Sequence, residues 1–178
     1  MAITHDYPIY GFDSVFIGEI PNDGGMATTL TEVGTTVRNT FTLTTDALTF
    51  SEFFNEEEDD PYIRIATGGG VIRGSWQIHN AHPSALATFF GGTVTGTGDD
   101  AIWEAPERFD MKEYSVRAIS GNDIQVELAR VQFAASLGWN LQRENPGIIT
   151  LDYTVMRPAK TGTPRMRAGK VAAFVPAG

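Results

Sequence analysis

The stretch YSVRAISGNDIQVELAR, Tyr114–Arg130, decides the fold class. It holds two runs of β-forming residues, 114–119 and 124–128, on either side of Ser120-Gly121-Asn122-Asp123. Gly121 and Asn122 can adopt the positive φ that tight hairpin turns need. The stretch therefore predicts an antiparallel β-hairpin, and residues 131–135 either extend its second strand or follow it.

Alternating side chains predict further strands outside this hairpin. In residues 71–78, the apolar Ile72, Trp76 and Ile78 alternate with polar side chains, as in a half-buried strand. Residues 149–155 alternate in the same way, and residues 37–43 are a weaker candidate. These segments indicate a sheet with one apolar and one polar face.

One short helix interrupts the strands. In NAHPSALATFFGG, Pro83 stands where a first helical turn would begin and Gly91 where a C-terminal cap would lie. Leu86, Phe89 and Phe90 would form its buried stripe. The predicted fold class is therefore dominated by β-structure, a β-sandwich or barrel-like fold of two packed antiparallel sheets, with one short α-helix and extended loop and terminal arms.

Composition excludes several classes of protein. The chain has 178 residues, no cysteine and a formal net charge of −9. Disulfides and thiolate metal sites are therefore excluded. The negative charge argues against a protein that binds nucleic acid by neutralising phosphates. We find neither a secretory signal nor an apolar run long enough to cross a membrane, so no membrane association is expected.

The sequence predicts a β-rich domain over residues 1–158 and a basic C-terminal arm over residues 159–178. Within the domain, residues 44–70 are expected to form a long acidic loop. This loop carries five consecutive carboxylates, Glu56, Glu57, Glu58, Asp59 and Asp60. The region of the arm carries five of the 13 basic residues, Arg157, Lys160, Arg165, Arg167 and Lys170.

No catalytic, metal or cofactor site emerges from the motifs, so the protein is not expected to be an enzyme. Contiguous carboxylates on an extended chain point in opposite directions and lack the spacing of a calcium loop. His79 and His82 lie on either side of a strand-to-helix junction, where turn or capping roles are expected. Gly68-Gly69-Gly70 precedes a strand, which favours a tight turn over a phosphate loop.

The opposite charges of the acidic loop and the basic arm favour self-association. If copies stack head to tail, the acidic loop of one copy can meet the basic arm of the next. Such ion pairs select orientation and register, while buried apolar surface supplies most of the free energy. Val171, Phe174 and Val175, near the C-terminus, could dock on a neighbour.

The order of seven segments along the chain resembles the order found in a known protein family. In chain order the segments are GFDSVFIGEIPNDGG, EFFNEEEDDP, TGGGVIRGSWQI, PSALATFFGG, TVTGTGDDAIWEAPE, YSVRAISGNDIQVELAR and IITLDYTVMRP. Over residues 10–158 this order resembles the tailed-phage major tail proteins, which are the subunits of the tail tube. Related tubes occur in contractile injection systems.

The resemblance implies a structural virion protein that forms hexameric rings, and these rings stack into a conduit for phage DNA. It implies a place in the virion tail after synthesis in the host bacterial cytoplasm. The implied partners are further copies, other phage tail proteins, and DNA that passes without specific binding. Residues 56–60 would line the lumen or, as we favour, meet the next ring. Glu113, Glu127 and Asp152 are then candidate lumen acids.

Two other classes of function stay open at this point. A capsid decoration or head-completion protein would share the acidity and the β-rich composition but would form no tube. A small-ligand or carbohydrate-binding β-sandwich could use Trp76, Trp103 and Trp139 as stacking surfaces. The latter has the weaker support, since no convergent polar residues accompany the tryptophans.

Overall fold

The computed structural model describes residues 8–56, 59–79, 82–139 and 147–174. Within these ranges the strands are β1 (Ser14–Glu19), β2 (Thr31–Glu32), β3 (Thr44–Thr45), β4 (Thr49–Phe54), β5 (Pro61–Gly68), β6 (Ile72–Ile78), β7 (Thr93–Thr95), β8 (Ile102–Glu104), β9 (Lys112–Ile119), β10 (Ile124–Gly138), β11 (Ile148–Val155) and β12 (Met166–Lys170). The helix α1 spans Pro83–Phe90, and 3-10 turns span Gly98–Asp100 and Val171–Phe174.

The predicted hairpin is formed by β9 and β10. Its turn is closed by backbone hydrogen bonds from Ser120 N to Ile124 O (2.8 Å) and from Asp123 N to Ser120 O (3.1 Å). Asp123, rather than Gly121 or Asn122, adopts the positive φ, at 60°. In hairpin loops of more than two residues, the last loop residue commonly adopts this left-handed conformation.

The main sheet is antiparallel and has eight strands. Its order is β2-β1-β9-β10-β11-β6-β3, and β12 also pairs with β10. The register of β10 shifts between Leu128 and Val131. The first part of β10 pairs with β12 and the second part with β11, on the side opposite β9.

Residues 31–37 bring the two ends of this sheet together. Val33 N donates to Val15 O of β1 (2.8 Å), and Val37 N donates to Gln77 O of β6 (2.8 Å). Thr36 forms a bridge with Ile78. The sheet therefore curves around a single core, and the predicted all-β class with antiparallel sheets and one short helix is confirmed.

The core lies inside this curve and is closed by α1. Trp76 and Phe133 are fully or almost fully buried, and the Phe89 ring of α1 meets both edge-on, at 6.2 and 5.9 Å between centroids. The predicted buried stripe of Leu86, Phe89 and Phe90 is confirmed. His82 caps the helix, since its Nδ1 accepts from Ser84 N at 3.2 Å.

Two expectations about the arms are wrong. Residues 44–70 are not a long loop but contain β3, β4 and β5, because aromatic and β-branched residues on both sides of the acidic block favour strands. Residues 166–170 of the predicted C-terminal arm form β12, because β11 leaves the first part of β10 without a partner on that side. The weaker strand candidate, residues 37–43, is also wrong, since no strand lies there.

Candidate assembly surface: the β4–β5 hairpin and a basic cleft

The β4–β5 hairpin stands apart from the core. Among the described elements, these two strands make extensive contact only with each other. Every residue of β5 is exposed, and only Ser51 of β4 is partly buried. An isolated two-stranded hairpin is only marginally stable in water and is stabilised when another surface packs on it. This ribbon is therefore a candidate surface for binding a partner.

One face of the ribbon is apolar. The register pairs Phe53 with Ile63 and Ser51 with Ile65, which places these four side chains on the same face. Phe53, Ile63 and Ile65 are 53%, 44% and 51% exposed. We call these four residues the apolar ribbon face.

The opposite face of the ribbon is mixed, with Phe50 and Tyr62 beside the charged Glu52 and Arg64. Glu52 and Arg64 form an ion pair at 3.1 Å. The Arg64 guanidinium also lies 3.8 Å from the centre of the Phe50 ring, a cation–π contact. The charges of this face are therefore satisfied within the ribbon.

The acidic residues lie at one end of the ribbon, and the root, where the ribbon joins the main sheet, lies at the other end. Glu56, Asp59 and Asp60, which we call the acidic tip, are exposed at the turn between β4 and β5, and Glu57 and Glu58 lie outside the described residues. At the root, Gly70 N donates to Asp46 O (3.0 Å) and Asp46 N donates to Val71 O (2.9 Å). Gly69 has a φ of 106°, so the glycine run forms a turn into β6.

The five predicted basic residues lie at two sites. Arg157, Lys160 and Arg165 line an open cleft of about 680 Å³ together with Arg130 and the turn 158–163. We call this the basic cleft. Arg167 lies instead on β12, as does Lys170. The basic residues of this segment were predicted from the sequence. Arg130 lies beside them only in the folded chain, because β10 passes next to the turn.

Two cations of the basic cleft are neutralised within the chain. Arg130 donates to both carboxylate oxygens of Glu113, at 2.9 and 3.0 Å, and these bonds raise the pKa of Arg130. Lys160 Nζ lies 2.7 Å from Asp23, and this hydrogen bond, with a second from Gly25 N, lowers the pKa of Asp23. The charge that remains for a partner comes from Arg157 and Arg165.

Two of the three candidate lumen acids are engaged in ion pairs. Glu127 is almost fully buried between Arg117 of β9 (2.9 Å) and Arg167 of β12 (3.6 Å), which are its cross-strand neighbours. Glu113 is held by Arg130. Alternation places both side chains off the core, as the sequence predicts, but the cross-strand arginines offset their charge.

Asp152 is in a different environment from the other two acids. It is exposed on β11, between Ala134 of β10 and Ser75 of β6 in register. Apart from Ala134, the neighbouring positions on the same face are polar, and Gln77 donates to Thr150 across the strands at 3.3 Å. The outer face of β10, β11 and β6 is thus largely polar. It carries the exposed carboxylate of Asp152 and also Arg73, which is paired with Asp46.

The predicted docking residues near the C-terminus pack on their own chain. Val171 N donates to Asp123 O (2.9 Å), and the Arg167 guanidinium lies 4.8 Å from the centre of the Phe174 ring. Val175 lies outside the described residues. Docking of this segment on a neighbour stays a prediction.

Other candidate sites have structural roles in the described part of the chain. Trp76 is buried, and the Trp103 indole donates to Gly91 O at 2.8 Å. The described residues contain no group of three or more histidine, aspartate or glutamate side chains suited to a metal ion. Nor do they contain a helix of the length and hydropathy needed to cross a membrane.

The apolar ribbon face is absent from the residues predicted from the sequence to be functional. The signal was present, because Ile63 and Ile65 alternate with Tyr62 and Arg64, and Phe53 lies in a run of aromatic residues. The five consecutive carboxylates favour a loop, and the prediction of a loop was extended to the strands on either side of them. Alternation also does not indicate that, in the described part of the chain, the ribbon makes no extensive contact with the core.

Comparison with solved structures identifies a similar fold. A chain in the cryo-EM structure of the anti-feeding prophage baseplate, symmetrised six-fold, aligns with a TM-score of 0.52 and 14% sequence identity. The alignment covers 95% of this chain and 99% of the other. No protein-family model and no curated protein matches the sequence. The protein therefore has the same overall fold as a chain of this baseplate.

Proposed function

We propose that the protein is a structural subunit of a phage tail that associates with itself through the β4–β5 hairpin. In this proposal six copies form a ring, and rings stack into a tail tube that conducts DNA. The protein acts by assembly rather than by catalysis. It is made in the cytoplasm of the bacterial host and ends in the tail of the virion, together with other tail proteins.

The exposed apolar ribbon face carries the proposal. Phe53, Ile63 and Ile65 each leave about half of their surface in water. Exposed apolar strands invite pairing and aggregation unless a partner covers them. In a homo-oligomer, the neighbouring subunit supplies that cover.

The similarity of fold supports the same proposal. The similar chain belongs to an assembly whose structure was symmetrised six-fold, and the two chains align over nearly their whole lengths. A chain that builds a ring needs a rigid body and an extension that reaches the next copy. The curved sheet and the β4–β5 hairpin have these properties.

A DNA conduit also has an electrostatic requirement. Phosphates pass most easily along a wall that does not bind them, and the net charge of −9 has the appropriate sign. We propose that the outer face of β10, β11 and β6, with Asp152, lines the lumen. Glu113 and Glu127 contribute less to the field there, because arginines offset their charges.

The test is a variant with Ile63→Ser and Ile65→Ser. It should fold with the same melting temperature as the wild type, since among the described elements β4 and β5 make extensive contact only with each other. It should lose the rings or tubes that concentrated wild-type protein forms in negative-stain electron microscopy. Ile9→Ser with Ile102→Ser is the matched control, because these isoleucines are 65% and 63% exposed but lie outside the ribbon.

Two results would contradict the proposal. One is a double variant that still forms rings at the wild-type concentration. The other is a wild-type protein that stays monomeric at every soluble concentration and binds empty capsid shells instead. The second result would favour a decoration protein.

A further inference from the structure

The basic cleft lies at the root of the β4–β5 hairpin. Arg165, on the rim of the cleft, donates through Nη1 to Gly70 O at 3.5 Å, and Gly70 follows the last residue of β5 by two positions. The acidic tip lies at the other end of the same ribbon. Strands of this length span roughly 20–25 Å, so the tip of a chain is remote from its own cleft.

The chemistry of the cleft suits a carboxylate-rich peptide. Arg130, Arg157, Lys160 and Arg165 line it, and no aspartate or glutamate is among its described lining residues. Arg130 and Lys160 are already paired, with Glu113 and Asp23, so Arg157 and Arg165 are the cations that remain for a ligand. Arg157 and Arg165 form no ion pair with any described residue, and both are exposed. Guanidinium groups bind carboxylates through paired hydrogen bonds, which gives direction as well as charge attraction.

The acidic tip has the matching chemistry. Glu56, Asp59 and Asp60 are exposed and form no ion pair within the described part of the chain. The sequence places two more carboxylates between them. A short acidic segment can stay within the cleft, whereas a nucleic acid would also cross the surrounding surface of a chain with a net charge of −9.

We propose that the basic cleft binds the acidic tip of a second copy of this chain. This contact rests on the proposed self-association and specifies which residues of two copies meet. Because tip and cleft lie at opposite ends of one ribbon, the contact is heterologous and repeats head to tail. The apolar ribbon face supplies burial, and the tip and cleft fix the register between successive copies.

A charge exchange tests the contact. The tip variant is Asp59→Lys with Asp60→Lys, and the cleft variant is Arg157→Glu with Arg165→Glu. Each should raise the concentration needed for stacking by about tenfold or more. A 1:1 mixture of the two, or a chain carrying all four changes, should stack again at a concentration close to that of the wild type.

A matched control separates local from global charge effects. Arg38→Glu with Arg108→Glu changes the net charge by the same amount as the cleft variant, at exposed positions outside the cleft. It should stack like the wild type. Arg157→Glu alone keeps the bond from Arg165 to Gly70 and should give the same direction of effect, with thermal unfolding confirming a folded subunit.

The outcomes distinguish this inference from the proposed function. If the wild type stacks and the serine variant of the apolar ribbon face does not, self-association through the hairpin holds. A cleft variant that then stacks like the wild type, or a fourfold variant that does not recover, overturns the tip–cleft contact alone. Loss of heparin retention by a cleft variant that still stacks would also overturn it, and would assign the cleft to another polyanion.

Discussion

Glu127 illustrates how single residues behave in this protein. Its side chain points away from the core, as the strand alternation predicts, yet it is almost fully buried. Arg117 and Arg167 cover it from the strands on both sides, and Gln125 also donates to it at 2.9 Å. Residue type and strand position therefore identify the direction of the side chain but not its exposure.

Tyr153 leads to a prediction about pH. Its hydroxyl donates to Thr42 O at 2.5 Å, and burial raises its pKa well above the ordinary value of a tyrosine. In the unfolded chain the phenol ionises near pH 10, so the unfolded state holds fewer protons than the native state above that pH. The free energy of unfolding should fall by about 1.4 kcal/mol per pH unit through this group.

The measurement is urea unfolding between pH 8 and 11, with Tyr153→Phe as the comparison. The phenylalanine variant should be less stable at pH 8, by about 1 kcal/mol for the lost hydrogen bond. Its stability should also fall less steeply above pH 10. Tyr114, whose pKa is raised by burial and by Glu19, contributes a remaining slope in both proteins. Equal slopes in the two proteins would rule out this role for Tyr153.

Among the elements, the β4–β5 hairpin is the one whose removal is expected to leave the core intact. Its root is closed by the hydrogen bonds between Asp46 and residues 70–71. Replacing residues 47–69 by Asn-Gly would connect the same two positions through a two-residue turn. The shortened chain should unfold within about 1 kcal/mol of the wild type, since surface changes that touch no packing rarely exceed that amount.

Thermal and urea unfolding of the shortened chain check this expectation. Phe89→Ala is the contrasting change, because Phe89 closes the core against Trp76 and Phe133 and should cost about 3–5 kcal/mol. A large loss of stability in the shortened chain would mean that the ribbon supports the sheet. Such a result would weaken the argument that its apolar face is reserved for a partner.

On the scale of the whole molecule, β12 makes the C-terminal segment part of the body. The register pairs Ile124 with Lys170 and Leu128 with Met166 along the first part of β10. Without this strand, β10 would expose a free edge and Glu127 would lose one of its two arginines. A chain that ends at Pro158 should therefore lose about 2–4 kcal/mol of stability and aggregate more readily.

Urea unfolding of the truncated chain measures this loss. Arg167→Ala is the matched variant, because it removes the ion pair at 3.6 Å but keeps β12, and it should cost about 1 kcal/mol or less. A truncated chain as stable as the wild type would mean that residues 159–178 are an independent arm, as the sequence alone suggested.

The sequence by itself determined the β-rich class, the β9–β10 hairpin, β6, β11 and the capped helix α1. These features depend on local alternation and on capping residues such as Pro83 and Gly91, which act over a few positions. The tertiary structure alone decided that residues 166–170 pair with β10 and that arginines cover Glu127. It also decided that β4 and β5 are exposed and, among the described elements, make extensive contact only with each other. Those outcomes depend on which distant strands meet and in which register, and local patterns do not contain that information.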